Sequence, residues 1–268
     1  MVIRVVPMNT ETGQLEFHEF SRLISERTKL VAVGAASNIL GTINDIEQVV
    51  KMARDAGALS FVDAVHFAAH ELVDVKKIGC DFLACSAYKF YGPHIGILYG
   101  RRELLDTVNF PKIRPAPEYS PDRAETGTMS HESIAGAAAA VDFLASLASH
   151  GSRRERLAAV FAELNGRQHE MVLRLWDGLN AIEGVRVYGP SPDHPRTSTV
   201  SFSVSGLKSD EVARRLAEKG IFASDGDFYA LTVVERLGAG GLVRAGCACY
   251  STMDEVERLI VGVRSISV

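Results

Sequence analysis

A lysine close behind an apolar run is the first residue of this sequence that suggests chemistry. Lys89 follows the run Phe82–Ser86 and is itself followed by aromatic residues and a Gly-Pro step. A primary amine at the floor of a cleft can form a Schiff base with an aldehyde, and polar neighbours make it a better nucleophile. The segment taken alone is also typical of a surface lysine in a turn.

Two further polar segments would complement such an amine. Asp63 and His66 follow the run that begins at Leu59, and Asn38 follows the run that begins at Leu30. A carboxylate against a pyridine nitrogen keeps that nitrogen protonated, which makes the ring an electron sink for a developing carbanion. His66 and Asn38 would add hydrogen-bonding groups. The simpler alternatives are an Asp63 that caps the next turn and a structural His66.

The elements that must position these residues alternate between helices and strands. Apolar spacing predicts helices over 15–26 and 43–56, and short apolar runs predict strands over 30–36, 59–63 and 82–86. This order is typical of a parallel sheet covered on both faces, in which ligands bind at the carboxyl ends of the strands. All the polar segments follow such ends, so we expect one cleft to bring them together.

The remainder of the chain predicts a smaller second domain. A hairpin-like strand is expected over 95–99, then a loop over 111–122, an Ala-rich helix over 134–147 and a long helix from 151 to about 182. Further strands are predicted over 185–188, 199–204, 221–223 and 242–247, with helices over 209–219 and from 253 onward. We therefore divide the chain into a large domain, 1–150, and a small α+β domain, 151–268.

Composition and charge narrow the function classes. The 268 residues are 47% hydrophobic and 23% charged, which suits a globular chain with a sizeable core. The 29 Lys and Arg residues against 33 Asp and Glu residues leave a net charge of −4, so a nucleic-acid partner is not expected. No apolar run reaches the ~20 residues of a membrane span. We expect reduced cysteines, a cytoplasmic location and no metal ion.

Together, the polar segments make the chain resemble the class V aminotransferase family of fold-type I pyridoxal-phosphate (PLP) enzymes, in its cysteine-desulfurase-like branch. The resemblance covers essentially the whole chain. It implies an α/β fold with a mostly parallel large-domain sheet, incomplete at its N-terminus, and a small C-terminal α+β domain. The residues that carry it are Ser37-Asn-Ile-Leu-Gly-Thr42, Val62-Asp-Ala-Val-His66, Asp81-Phe-Leu-Ala-Cys-Ser-Ala-Tyr-Lys-Phe-Tyr-Gly-Pro93, Glu125-Thr-Gly-Thr128 and Val243-Arg244.

The resemblance assigns a catalytic centre to the first half of the chain. It implies that Lys89 forms the Schiff base with PLP and shuttles the proton at the substrate Cα. Asp63 would pair with the pyridine nitrogen, and His66 and Asn38 would contact the phenolic oxygen. These roles agree with the chemistry expected of the residue types alone.

Phosphate and substrate contacts are implied in the same way. Ser86 and Tyr88 match the positions that hold the cofactor phosphate. Gly127 and Thr128 match a step that reaches the phosphate of the neighbouring subunit, which implies a homodimer with shared active sites. Arg244 matches the arginine that grips the substrate α-carboxylate, for which a planar bidentate fork suits better than a lysine.

Two departures from the family pattern bear on function. Tyr229 occupies the place of the cysteine that forms a persulfide in a true desulfurase, and a phenol does not accept sulfane sulfur as a thiolate does. Strand alternation is expected to turn Cys85 away from Ser86, and Cys247 and Cys249 away from Arg244, so none would substitute. We expect Tyr229 to contact the substrate instead.

The second departure is at the start of the chain. Family members carry an N-terminal segment there that holds a phosphate-binding turn and a group stacked on the cofactor ring. Without that segment, a sheet edge and apolar faces are expected to be uncovered.

The sequence therefore predicts a PLP enzyme that acts on an amino acid through an external aldimine and is not a true desulfurase. A lyase acting at Cβ comes first among the reactions, and an aminotransferase or epimerase second. The alternative is a catalytically silent or split fragment that binds the cofactor weakly alone. A nucleotide-binding domain is disfavoured because no Gly-x-Gly-x-x-Gly or Gly-Lys-Ser/Thr loop follows a strand.

Overall fold

The computed structural model describes residues 2–125 and 127–267. Its helices, in chain order, are α1 (Phe17–Leu23), α2 (Ile46–Asp55), α3 (Val75–Ile78), α4 (Arg102–Thr107), α5 (His131–Ser146), α6 (Arg153–Asn180), α7 (Ser209–Ala217), α8 (Leu231–Arg236) and α9 (Met253–Arg264). Its strands are β1 (Leu30–Gly34), β2 (Leu59–Asp63), β3 (Phe82–Ser86), β4 (Gly96–Gly100), β5 (Val185–Tyr188), β6 (Thr199–Val204), β7 (Ser224–Gly226) and β8 (Leu242–Gly246).

The chain folds as two compact units. The parallel-sheet unit contains residues 24–35 and 45–161, and the antiparallel-sheet unit contains 2–23, 36–44 and the residues from 162 onward. These units differ from the predicted division at 150, because segment 36–44 belongs with the C-terminal part. Its backbone explains why: Gly41 O accepts from Thr197 N at 2.8 Å, and Ile39 O accepts from the hydroxyl of the fully buried Ser201.

In the parallel-sheet unit the strands run in the order β1-β2-β3-β4. β1, β2 and β3 are parallel, and β4 is antiparallel to β3, which confirms the predicted hairpin-like addition. α2 begins after Asp45, whose carboxylate accepts from Gln48 N, and it buries an apolar face that includes Val49 and Val50. The parallel register brings the carboxyl ends of β2 and β3 to one edge of the sheet.

One face of this sheet is exposed. In β1, Val31 and Val33 are buried, whereas Leu30 is 53% exposed and the alternate residues after it face solvent. Leu98 in β4 is 55% exposed. A parallel sheet usually has both faces covered. In this sheet, no described residues cover the face that includes Leu30 and Leu98.

In the antiparallel-sheet unit the order is β5-β6-β8-β7, and every pairing is antiparallel. Phe202 of β6, Leu175 and Leu179 of α6, Leu216 of α7 and Ile260 of α9 are almost completely buried in its core. α9 begins with a capping box in which Thr252 and Glu255 bond each other's backbone.

The predicted strand over 221–223 is shifted in the structure. Ile221 N still donates to Leu216 O, which closes the end of α7, and Ile221 packs on the core. Pairing with β8 therefore begins only at Ser224, which lies opposite Arg244. Among residues 2–125 and 127–267, no helix has both the length and the apolar composition needed to cross a bilayer.

Candidate functional site

Asp63 is placed by its strand. It is the last residue of β2 and lies in register between Gly34 of β1 and Ala84 of β3. Its carbonyl accepts from Ala35 N at 2.8 Å, which fixes its backbone at the sheet edge. The carboxylate is exposed, and its Oδ1 accepts from Val65 N at 2.9 Å. Asp63 thus caps the following turn, and no donor in the described ranges bonds Oδ2.

Lys89 lies immediately beyond the neighbouring strand. β3 ends at Ser86, and a single turn of 3₁₀ helix, Ala87–Phe90, carries Lys89. The turn is closed at Tyr91, whose φ of 70° is in the left-handed region. Lys89 is half-buried, and its Nζ lies 5.1 Å from the centre of the Tyr88 ring. The amine therefore stands at the same sheet edge as the Asp63 carboxylate.

Two aromatic pairs flank this edge. The Tyr88 ring stacks on His94 with a centroid separation of 4.9 Å and an angle of 8° between the planes. His66 packs against His70 at 4.7 Å with tilted rings. These contacts restrain the rings of Tyr88, which adjoins Lys89 in the sequence, and of His66, which lies three residues beyond Asp63.

The residue types at this sheet edge fit PLP. Lys89 is the amine that an aldehyde requires, and Asp63 is the carboxylate that a pyridinium nitrogen requires. Ser86 and Tyr88 carry hydroxyl groups that can donate to phosphate oxygens. An amine, a carboxylate and two hydroxyl groups that could serve the cofactor therefore lie at the ends of two adjacent parallel strands.

The step predicted to reach a neighbouring subunit is exposed. Gly127 has a φ of 84°, which a non-glycine residue rarely adopts, and a Cβ there would meet nothing within 4 Å. Thr128 is also exposed. Thr126, which belongs to the same motif, lies outside the described residues.

The other predicted site residues, Asn38, Tyr229 and Arg244, lie in the antiparallel-sheet unit. There Asn38, Arg244 and Phe228 contact one another and form a closed triangle. The Arg244 guanidinium carbon lies 4.0 Å from the centre of the Phe228 ring. Arg244 Nη1 donates to Asn38 O at 2.9 Å, and Asn38 Nδ2 donates to Phe228 O at 2.8 Å. Asn38 and Arg244 were singled out in the sequence, whereas Phe228 was not.

Arg244 keeps hydrogen-bonding capacity that this triangle does not use. It is half-buried, and burial lowers the pKa of its guanidinium. In the part of the chain that the structure describes, no carboxylate acts on the Arg244 guanidinium, and Asn38 O is the one hydrogen-bond acceptor of that group. A partly desolvated guanidinium without a carboxylate partner is suited to bind an anionic ligand.

Tyr229 lies at the tip of a tight turn beside this triangle. Ala230 N donates to Asp227 O at 2.8 Å, and the two central residues, Phe228 and Tyr229, have φ of 55° and 60°. This is the geometry of a type I′ turn, which glycine and asparagine usually occupy. Two left-handed non-glycine residues cost about 1–3 kcal/mol each and concentrate at functional sites. The Tyr229 side chain is fully exposed, so its predicted substrate contact stays a prediction.

Three of the four cysteines are poor candidates for a reactive thiol. Cys80 and Cys247 are buried and Cys85 is half-buried, and burial raises the pKa of each thiol, for Cys247 to about 11. Such groups are poor nucleophiles at neutral pH. The prediction that strand alternation turns Cys247 and Cys249 away from Arg244 was wrong, because β8 stops at Gly246 and both cysteines lie beyond it.

The fold and the residues at the strand ends define an α/β chain of the fold-type I PLP class. A sequence profile of the aminotransferase class-V family matches residues 1–259, and the chain belongs to that family. Members of the family depend on PLP.

The relatives and solved structures narrow the likeness to one branch. The chain is 34% identical over 268 residues to the probable cysteine desulfurase 2 of Mycobacterium leprae, covering 95% of this chain and 60% of that protein. It superposes on the cysteine desulfurase of Thermococcus onnurineus NA1 with a TM-score of 0.85 and 32% identity, covering 98% of this chain and 65% of that one. It superposes on an Escherichia coli cysteine desulfurase with a TM-score of 0.83 and 26% identity, covering 97% of this chain and 64% of that one. The chain thus spans about three fifths to two thirds of these proteins.

Proposed function

We propose that the protein is a PLP-dependent enzyme that acts on the Cα or Cβ of an amino acid. The observation that carries this proposal is the placement of Asp63 at the end of β2 and of Lys89 just beyond the end of the adjacent parallel strand β3. In a family that depends on PLP, an amine and a carboxylate in that relation serve the aldehyde and the ring nitrogen of the cofactor.

The chain's own residues have distinct tasks in this proposal. When bound, PLP supplies an aldehyde and an electron-poor ring that stabilises negative charge at Cα. Lys89 moves the proton at Cα, since its amine is basic once it is free. Asp63 Oδ2 holds a proton at the ring nitrogen. Arg244 would bind the α-carboxylate of the amino acid through its bidentate guanidinium.

The expected reaction is not sulfur transfer by the route of a true desulfurase. Tyr229 stands where that route needs a thiolate, and the buried cysteines have raised pKa values. A lyase acting at Cβ is the first expectation, and an aminotransferase or epimerase the second. We further propose a cytoplasmic homodimer in which Gly127 and Thr128 contact the partner's cofactor phosphate.

A second candidate function has an observation of its own. The apolar face that includes Leu30 and Leu98 is exposed, and the chain spans about 60% of the relative from Mycobacterium leprae. On this alternative the isolated chain is catalytically silent or part of a split enzyme, and it binds PLP weakly until another polypeptide completes the site.

Cofactor titration separates these two candidates. PLP is added to the purified chain, and the dissociation constant is measured by the change in its visible absorption. We expect saturable binding that Lys89→Ala abolishes and that Lys51→Ala leaves intact, because Lys51 is an exposed lysine paired with Asp55 on α2. Binding too weak to saturate would favour the silent fragment and contradict the leading proposal.

The reaction type is tested by product analysis. The PLP-loaded protein is incubated with L-cysteine and with other amino acids, and sulfide, 2-oxo acids and inverted enantiomers are quantified. We expect little sulfide release from the wild type and a different product pattern or more sulfide from Tyr229→Cys. Efficient sulfide release by the wild type would refute the exclusion of desulfurase chemistry.

A further inference from the structure

We infer that Phe228 is a positioning residue that holds the Arg244 guanidinium in the orientation needed to bind a carboxylate. The inference deepens the proposed function, since it names the residue on which carboxylate recognition depends. It rests on contacts within the antiparallel-sheet unit alone.

The three residues of the triangle restrain one another. The guanidinium carbon of Arg244 lies over the Phe228 ring, 4.0 Å from its centre, and Asn38 O accepts from Nη1 at 2.9 Å. These two contacts together restrain the position of the guanidinium. The backbone of Phe228 is in turn held because Asn38 Nδ2 donates to the Phe228 carbonyl at 2.8 Å. Arg244 Nη2 and Nε are left to form a bidentate pair with a planar anion.

The turn gives independent support. Phe228 and Tyr229 hold the left-handed conformations of a type I′ turn, in which glycine would be unstrained. Asp227 Oδ1 accepts from Tyr229 N at 2.8 Å and helps to hold the turn. A phenylalanine in a backbone conformation that is unfavourable for non-glycine residues indicates that its side chain has a functional role. Because the ring contacts Arg244, we infer that this role is to position the guanidinium.

A second stacked arginine in the same unit shows what a structural pair looks like. Arg196 lies 4.9 Å from the Trp176 ring, and it donates to the carbonyls of Pro190, Thr197 and Thr199. Its hydrogen-bonding capacity is used within the protein. Arg244 has a closer ring contact but only one such acceptor in the described ranges, so its remaining donors are available to a ligand.

The test measures binding of acetate to the cofactor-free chain at constant ionic strength. The probe is the ¹⁵N-correlated Nε–H resonance of Arg244, assigned by its loss in Arg244→Lys. We expect this resonance to carry a ring-current shift, because the guanidinium carbon lies 4.0 Å from the centre of the Phe228 ring, and to shift further on acetate binding. Phe228→Leu should abolish the ring shift and weaken acetate binding roughly two- to thirtyfold, the range expected for loss of a cation–π contact.

Matched variants separate positioning from general damage. Phe228→Tyr keeps an aromatic face and should bind acetate as the wild type does. Phe222→Leu removes an aromatic ring that is 88% exposed and should have no effect. In the PLP-loaded protein, Phe228→Leu should raise KM for the amino acid by the same factor and leave kcat within about twofold.

The inference is overturned if folded Phe228→Leu binds acetate like the wild type, or if Phe222→Leu weakens binding equally. Should Phe228→Leu not fold, Asn38→Ala provides the test, since it releases the Phe228 carbonyl but keeps the ring. Unchanged acetate affinity in that variant would also overturn it. Acetate titration needs no cofactor, so a failure of PLP loading would refute the proposed function without deciding this inference.

Discussion

Gly41→Ala perturbs the segment that presents Asn38 without touching any proposed binding residue. Gly41 has a φ of 76°, and a Cβ there would lie 2.5 Å from Thr199 O and 3.2 Å from Arg196 Nη2. Its own carbonyl accepts from Thr197 N. The substitution therefore combines an unfavourable backbone conformation with a collision against backbone that cannot easily move.

The size of the effect follows from these two contributions. A left-handed alanine costs about 1–2 kcal/mol, partly offset by about 0.4–1 kcal/mol from the less flexible unfolded chain. Overpacking against fixed atoms adds about 1–3 kcal/mol. We therefore expect Gly41→Ala to lower the free energy of unfolding by about 2–4 kcal/mol.

Gly206→Ala is the matched control. Gly206 has nearly the same φ, 75°, but a Cβ there would meet nothing within 4 Å. We expect this variant to lose only about 0.5–1.5 kcal/mol, the conformational part alone. Urea unfolding of both variants, followed by circular dichroism, measures the difference.

Asn38 connects this stability effect to function. Because Asn38 O anchors Arg244, displacement of the 37–42 loop by Gly41→Ala should also weaken acetate binding, whereas Gly206→Ala should not. Equal destabilisation by the two alanines, or full acetate affinity in Gly41→Ala, would refute the view that close packing around Gly41 positions Asn38.

Three further predictions concern single side chains. Arg244→Lys should weaken acetate binding roughly tenfold, because an ammonium loses the bidentate fork and the stacked face; undiminished affinity would contradict the assignment. The pKa of Cys247 is raised to about 11 from 9.0 by burial, so its contribution to stability is present below pH 9 and is lost between pH 9 and 11. Between pH 9 and 11 the free energy of unfolding should therefore fall by about 2–3 kcal/mol less in Cys247→Ala than in the wild type, as measured by urea unfolding. The pKa of Glu211 is lowered to about 2 by Arg214 and Arg215, so its stabilising effect is present above about pH 4.5 and is lost as the pH falls to 2; Glu211→Gln should reduce that acid sensitivity, and an unchanged acid transition would argue against these ion pairs.

The local sequence pattern correctly predicted the strands that position the candidate site residues. The strands at Leu59–Asp63, Phe82–Ser86, Val185–Tyr188 and Thr199–Val204 coincide with the predicted ranges. Each is a short apolar run ended by a polar residue or a turn, so the information lies within a few neighbouring residues. The same holds for Asp63 and Lys89, which owe their placement to the strands that precede them.

Long-range contacts were not predictable in this way. Segment 36–44 joins the C-terminal part of the chain through bonds to residues more than 150 positions away, such as that from Ser201 to Ile39. The role of Phe228 was not predictable from the sequence for a related reason. Its partner Asn38 is 190 residues distant, and its left-handed backbone is one that glycine, not phenylalanine, usually signals. The neighbouring Gly226-Asp227 pair was the one local sign of a turn.

The most direct test of the central claim is to find where PLP becomes attached. The cofactor is added to the wild-type chain, the complex is reduced with borohydride, and the modified peptide is identified by mass spectrometry. We expect one pyridoxyl group on Lys89 and none in Lys89→Ala, with Lys51→Ala labelled like the wild type. Labelling spread over exposed lysines, or equal labelling of Lys89→Ala, would contradict it.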